Sequence, residues 1–514
     1  MAKYYGIDLG TTYSCIAIID DSTDKPTPQV VTDTKTQQMV TPSVVHINKE
    51  GQVIVGQPAK SYLGSDAENT VAFIKREMSN PNYKREIRGK EYTPEEISSM
   101  ILKHLVDKAN TQRMAADKDA QPIYDVFITH PAYFAELETR RTRKAGELAG
   151  LNVIGMVNEP TAAALSYGQG QSDDKTLLIY DLGGGTFDVT IMEFKNHVAN
   201  VLSTDGDPKL GGYDWDRALV DFVLEKFNGN FEDLSLSDKN KLLKIAEDVK
   251  KQLSAVDEYT MEFTYKGMQE VLVTREDFDN ATSKLLYKTQ GLTHRALEKA
   301  KLKTENIDEV ILIGGSTHMP QIQQFVKGMF PNIKVEQVEP ELAVAKGAAI
   351  CAYHEKRCGI KKDDGVWPGV DRNPYAYGIC AYDSNDELRI YNLIKSNDEM
   401  EKEVTTEEGE FVTYKDGQTC VRTNVYQSRS QQDSMLVSDG IGTELFAKGN
   451  ENNAHPEKQE VSWGTPAPKG TSILYRITRN KSGDVKVYVE CNGAKGEFEI
   501  GMPDTSNSTS ISRG

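Results

Sequence analysis

Ile7-Asp8-Leu9-Gly10-Thr11-Thr12 and, further along the chain, Tyr180-Asp181-Leu182-Gly183-Gly184-Gly185-Thr186-Phe187-Asp188 are two versions of one phrase. Each ends an apolar run on an aspartate, turns through glycine and threonine, and enters a second apolar run, which reads as strand, tight turn, strand. Glycine lets an anion approach the backbone, and a tight turn leaves N–H groups free to meet it, so such a turn can cradle phosphate. A single copy reads equally well as an Asx-stabilised hairpin turn. The pair points instead to two similar half-domains holding a polyphosphate from both sides, with Asp8 and Asp181 aimed at Mg²⁺ directly or through its waters.

The surrounding sequence fits this picture. From Met1 to about Lys356, β-branched runs alternate with amphipathic helices, expected over 95–109, 137–149, 215–227, 239–254, 278–301 and 321–329, a mixed α/β pattern. Val310-Ile311-Leu312-Ile313 runs into Gly314-Gly315-Ser316-Thr317, a third strand-to-helix turn able to approach a nucleoside. Neither GxxxxGK[ST] nor a GxGxxG opening a βαβ unit is present, so the P-loop and Rossmann folds are excluded. The texture changes after Cys358, where Gly, Pro and charge favour a linker over 358–372. Beyond it Val421, Thr423 and Val425, then Ile473, Tyr475 and Ile477, then Val485, Val487 and Val489 alternate as strands, with turns at 479–484 and Asn492-Gly493. The expected domains are 1–357, an α/β nucleotide-binding domain; 358–372, a linker; 373–503, an antiparallel all-β domain; and 504–514, a disordered tail rich in Ser, Thr and Asn.

The 514 residues imply roughly three to four units. Lys+Arg 60 against Asp+Glu 77 gives −17, which argues against nucleic acid and anionic membranes as partners. No run of about 18 apolar residues occurs and no leader precedes Tyr4, so a cytoplasmic location is expected. The six cysteines contain no CxxC and read as free thiols. Cys351, His354 and Cys358 share a helical face but lack a fourth zinc ligand. The basic run 140–144 reads as a solvated helix face.

The three turns, together with Asn158-Glu159-Pro160-Thr161-Ala162-Ala163-Ala164 between them, resemble the ATPase domain of the seventy-kilodalton heat-shock chaperones of DnaK type, within the actin and sugar-kinase superfamily. The span 75–131 is short, as in the trimmed bacterial members of that family, and no helical lid follows the β domain. The resemblance implies an actin-like (ribonuclease-H-like) two-lobed α/β ATPase. ATP/ADP and Mg²⁺ are its implied ligands, with K⁺ a further candidate cation. It implies Lys75, Glu159, Asp181 and Asp188 as catalytic residues and Asp8 and Asp181 as the metal-site carboxylates. The nucleotide would be met by Gly10, Thr11, Thr12, Tyr13, Gly183, Gly184, Gly185, Thr186, Gly211 and Gly212. Glu247, Lys250, Lys251 and Ser254, about a turn apart on one helix face, would join them, with Gly314, Gly315, Ser316 and His318.

Several positions depart from the family pattern. Arginine is expected where Lys251 and His318 stand, so the adenine clasp loses planar stacking area and nucleotide exchange should be faster. Pro131 matches the family's interdomain switch, but Thr139 takes the place of its partner arginine, with Arg140 adjacent. The linker retains only Val366, Trp367 and Val370 for docking. Residues 373–502 resemble the peptide-binding sandwich. Ile379, Phe411 and Val421 fall where the family builds its cleft, Tyr382 and Tyr414 where it builds the arch above it, and Thr423 at a usually aliphatic site. An extended peptide would be held by main-chain bonds and one or two apolar pockets, and released quickly without a lid. The implied function is an ATP-hydrolysing chaperone for unfolded polypeptides, served by a J-domain cochaperone and a nucleotide exchange factor. The alternatives are a non-catalytic nucleotide-gated scaffold and another ATPase of the actin and sugar-kinase superfamily.

Overall fold

A computed structural model describes residues 3–22, 26–33, 36–168, 174–195, 198–356, 367–368, 372, 375–399, 402–428, 430, 432–440, 442–447, 459–480 and 484–501. The chain forms two compact units. The first comprises Met1–Met78, Tyr83–Tyr133 and Arg141–Gly369, and the second Ser79–Asn82, Phe134–Arg140 and Val370–Gly514. The tail expected at 504–514, Cys358 and most of the linker lie outside the described residues.

The first unit contains two six-stranded sheets. One runs in the order Asn152–Asn158, Asp125–His130, Lys3–Asp8, Tyr13–Asp20, Gln29–Val30, with Thr41–Pro42 also on Tyr13–Asp20. The other runs Lys334–Gln337, Glu309–Ile313, Lys175–Leu182, Phe187–Lys195, Val198–Asp207, Trp367–Pro368. Lys3–Asp8 is antiparallel to Tyr13–Asp20 and parallel to Asp125–His130, itself parallel to Asn152–Asn158. Lys175–Leu182 repeats these relations with Phe187–Lys195, Glu309–Ile313 and Lys334–Gln337. The repeated phrase therefore turns the same corner in both sheets, and the α/β two-lobed architecture follows.

Helix boundaries follow local chemistry. Thr93 caps Pro94–Ala116 through a reciprocal pair: its backbone N–H donates to Glu96 Oε2 at 2.8 Å while Glu96 N–H donates back to Thr93 Oγ1. Ile97, Ile101, Leu105 and Ala109 then bury one stripe. Thr274 caps Arg275–Ala300 in the same way with Asp277, and Lys301 ends that helix in the left-handed region at φ 57. Two helices carry no amphipathic signal and escape the sequence reading, Glu159–Tyr167 and Ala343–Lys356. Both are alanine-rich and buried on nearly every side, so their polarity does not alternate. Among the described residues, no helix is long and apolar enough to cross a membrane. Cys15, Cys351, Cys380, Cys420 and Cys491 are unbridged, and no group of three metal-ligating side chains exists among the described residues.

Within the linker Trp367–Pro368 is an edge strand, parallel to Val198–Asp207 and paired Val198↔Trp367 and Ala199↔Pro368. The second unit is built on a ten-stranded antiparallel sheet and a two-stranded pair, Gln418–Arg422 with Glu460–Ala467. Ser472–Arg479 pairs Val485–Cys491 so that Ile473, Tyr475 and Ile477 face Cys491, Val489 and Val487, all buried. Asn492 and Gly493 both have positive φ (47 and 79), the type I′ geometry their sequence predicts. Thr423 is buried in the step between Gln418–Arg422 and Val425–Ser428.

Ala343–Lys356 is fixed by close backbone approach. A Cβ on Gly347 would lie 1.8 Å from Ala162 O, and one on Gly6 would lie 2.1 Å from Ala349 N. Gly291, exposed within Arg275–Ala300, meets nothing within 4 Å. Alanine at the two helical glycines should therefore act in opposite directions. Gly347→Ala is expected to cost at least about 2 kcal/mol through overpacking, and Gly291→Ala to gain about 0.5–1 kcal/mol in helix propensity, both read as shifts in urea midpoint.

Candidate active site

The first unit holds a cleft of ≈ 720 Å³, within the size range of ligand pockets. Its walls are the two repeated turns. Asp8, Gly10, Thr11, Thr12 and Tyr13 line one side and Asp181, Gly183, Gly184 and Thr186 the other. The turns touch: a Cβ on Gly184 would fall 1.7 Å from Thr12 Oγ1, and one on Gly185 would fall 2.4 Å from Thr11 Cγ2. Gly183 N–H donates to Thr186 O at 3.0 Å and closes the second turn. Among the described residues, Thr12 Oγ1 is buried with no hydrogen-bond partner, and the N–H groups of Thr11, Thr12, Gly184 and Gly185 have no protein acceptor. A bare-backbone cradle beside an unsatisfied hydroxyl fits an anion with several acceptor oxygens.

The base of the cleft is acidic. Asp8 accepts from Thr129 Oγ1 at 3.1 Å, and Lys75, itself buried, is ion-paired with Glu159. Burial, followed by the charge of Glu159, pushes the Asp8 carboxyl up to about 7 despite Lys75. Burial and the neighbouring carboxylates likewise raise Asp181 and Asp188 well above the usual range. Lys75 is a cation acting on all three, and it is already paired, so the site favours an added cation. The carboxylates are too dispersed to chelate a metal by themselves. That suits Mg²⁺, which keeps its waters and takes one or two carboxylates along with substrate phosphates.

Glu247, Lys250, Lys251, Ser254, Gly314, Gly315, Ser316 and His318 line the remainder of the cleft, with Gly212. Lys250 pairs with Asp216 at 2.7 Å and donates to Gly212 O at 3.1 Å. Burial raises Asp216 to about 6. Gly314 takes φ +83, and a Cβ there would strike Leu182 O at 2.3 Å, so glycine is required for both conformation and space. Lys251 is held at 2.6 Å by Glu247, and His318 Nε2 lies 3.0 Å from Glu341 Oε1.

Three expected site residues stand behind the wall. Asp188 is buried, directly opposite Asp181 in the ladder, and accepts from Tyr133 N–H at 3.0 Å. Gly185 packs on Thr11, and Gly211 on Gly185, where a Cβ would lie 2.4 Å from Gly185 N. Phe73, Tyr213, Asp216 and Glu341 line the cleft without having been expected, because they reach it from loops and helix starts that only the tertiary fold brings together. Near Pro131, the buried guanidinium is that of Arg141. It donates to Met78 O at 3.1 Å and lies 3.5 Å from Glu95.

In the second unit, Ile379, Phe411 and Val421 belong to the sandwich core, with Ile379 fully buried. The resemblance places them at the wall of a peptide cleft, and all three are buried here. Inward strand positions look alike in sequence whether they line a groove or fill a core. Tyr382 and Tyr414 are exposed and stack on each other, with centroids 5.0 Å apart and planes 27° apart, and Tyr414 OH donates to Asp386 at 3.0 Å.

The family model described as Hsp70 protein matches residues 4–438. The chain belongs to the Hsp70 family. Among its relatives are the proteins named chaperone protein DnaK of Halobacterium salinarum strains R1 and NRC-1. Each is 36% identical over 443 residues, covering 84% of this chain and 66% of the relative. The chain thus spans just under two thirds of the length of those relatives. The Hsp70 fold, an actin-like ATPase domain with a β-sandwich domain, agrees with the architecture described above.

The cleft also makes a titration prediction. Burial raises Glu247, but Lys60 at 2.7 Å and Lys251 outweigh it and hold the carboxyl near 2, below its ordinary 4.5. Such a group stabilises the fold above its unfolded pKa and loses that contribution as pH falls through the folded value. The stability gap between the parent and Glu247→Gln should be about 3 kcal/mol above pH 5 and should shrink steadily from pH 4.5 toward 2, measured by urea unfolding at each pH.

Proposed function

We propose that this Hsp70 chain hydrolyses ATP in the cleft between its two lobes and binds extended apolar segments of unfolded polypeptides through its β domain. The observation that carries the reading is the contact between the two glycine-threonine turns, which leaves unpaired donors converging on one volume. Thr11, Thr12, Gly183, Gly184 and Thr186 would bind the phosphates, with Gly185 and Gly211 supplying the close packing behind them. Asp8 and Asp181 would hold Mg²⁺, whose charge offsets that of the phosphates and carboxylates. Lys75, oriented by Glu159, would place its ammonium against the terminal phosphate and the attacking water, and Glu159 would order that water. Asp188 would act from behind the wall by keeping Asp181 in place. Catalysis of this kind is positioning and electrostatics.

Glu247, Lys250, Lys251, Ser254, Gly314 to Ser316 and His318 would surround the nucleoside. The stacked Tyr382–Tyr414 pair would form the polypeptide contact that is exposed. A J-domain cochaperone and a nucleotide exchange factor are the proposed protein partners, and the cytoplasm, where free cysteines persist, the proposed location.

Rapid-quench single turnover on the full chain tests the enzyme reading. Lys75→Met should lower the cleavage rate by about 100-fold or more, and an unfolded peptide should raise the parent's steady rate. Cleavage that is insensitive to Lys75→Met would sink the assignment.

The nucleoside end makes a separate prediction. Lys251 and His318 are each drawn toward a carboxylate and present no guanidinium plane to a base. Lys251→Arg/His318→Arg should slow dissociation of a fluorescent adenine nucleotide by about 10-fold, and an unchanged rate would remove those two side chains from adenine recognition.

A further inference from the structure

Phe73 adopts φ 57, the left-handed region that bulky side chains avoid, immediately before the turn Ile74–Glu77 that carries Lys75. Its ring meets Tyr213 edge-on, centroids 4.9 Å apart and planes at 65°. Tyr213 belongs to the opposite lobe, in the first turn of Gly212–Glu225, and its own N–H donates to Gly184 O at 2.8 Å. The guanidinium of Arg76 lies 4.6 Å from the Tyr213 centroid. It also grips the Asp214 carboxylate with two bonds, of 3.0 and 3.1 Å, and Lys209 O at 3.1 Å. One ring of the second lobe is thus held by an aromatic edge and a cation, both delivered by the short turn that bears the buried lysine. Phe73, Lys75, Tyr213 and Gly184 all line the cleft.

We infer that Phe73, Tyr213 and Arg76 form an aromatic latch that closes the phosphate end of the cleft and retains the inorganic phosphate cleaved there. The inference rests on the ATPase reading above. The ring faces of Phe73 and Tyr213 line the same cleft as Lys75 and offer phosphate no donor apart from the Tyr213 hydroxyl. Arg76, the nearby cation, is engaged by the Asp214 carboxylate and Lys209 O, so its charge is already paired within the second lobe. For the phosphate to leave, Phe73 must part from Tyr213. If the turn that carries Phe73 and Arg76 moves away as one, it gives up the edge contact and the cation–π contact together. Phe73 and Tyr213 act through the path of the product and are not catalytic residues.

The test compares cleavage, followed by rapid quench, with phosphate appearance, followed by a fluorescent phosphate sensor, in a single turnover of the full chain. In the parent, phosphate should appear after a lag. In Phe73→Ala and Tyr213→Ala, release should speed up by about 5- to 10-fold, the worth of one aromatic and one cation–π contact, while cleavage changes by about 2-fold or less. Tyr213→Phe keeps the ring and should keep the lag. If an alanine variant fails to fold by circular dichroism, Tyr213→Leu, which retains apolar volume but no ring face, takes its place and should also lose the lag. A lag that persists in the alanine or leucine variants, or is missing from a parent that cleaves ATP, overturns the latch alone. A parent that does not cleave ATP overturns the ATPase reading and the latch with it.

Discussion

Two glycine-threonine turns press against each other in the first unit, and most other features of the site are consequences of that contact. Gly184 and Gly185 pack onto Thr12 and Thr11 at separations no Cβ could survive. The backbone on both sides therefore lies near one point, with amide donors that the protein does not satisfy. An unpaired buried donor is costly, so the arrangement persists because the sheets behind it over-determine the turns. Lys175–Leu182 and its neighbours are almost wholly buried strands, and Lys3–Asp8 is locked against Ala343–Lys356 through Gly6. The rigid scaffold holds a loop pair that is unfavourable until an anion arrives.

The carboxylates make the same argument with opposite sign. Burial and mutual repulsion push Asp8, Asp181 and Asp188 toward the protonated form, although Lys75 stands beside them. An anion in the cradle alone would worsen that repulsion, and a cation alone would leave the amides unmet. A magnesium polyphosphate would satisfy both sets of groups at once. A ligand of that kind that binds only the folded chain would also stabilise the fold, rising with the logarithm of its concentration above Kd. Positive and negative demands converging on one volume distinguish this cleft from an ordinary polar groove.

Much of this could be read from sequence because it was local. A strand ending in Asp-Leu-Gly and an Asn-Gly turn are each set by neighbours in the chain, and the repeat of the first phrase carries the fold. What escaped the reading depends on distance. Phe73 and Tyr213 are far apart in sequence and meet only because the two lobes do. Thr129 becomes relevant through its bond to Asp8, and the alanine-rich helices are buried too evenly to show a period. In the β domain the alternation of Val, Ile and Tyr identified Ser472–Arg479 and Val485–Cys491 as strands, whereas the run 421–425 divides at Thr423 into two strands of different sheets. It could not separate Ile379, which seals the core, from Tyr382 three positions on, which is exposed.

The linker shows how a divergent sequence can keep a structural task. Trp367–Pro368 joins the edge of Val198–Asp207 by main-chain pairing, and main-chain pairing does not read side-chain identity. A linker with so few apolar residues therefore keeps the capacity to add a strand there. Proline does limit it. Pro368 has no N–H to give to the ladder, so its own place in the pairing contributes no donor. The compromise is chemical: the backbone supplies the docking, and one ring that lacks a donor limits how tightly it holds.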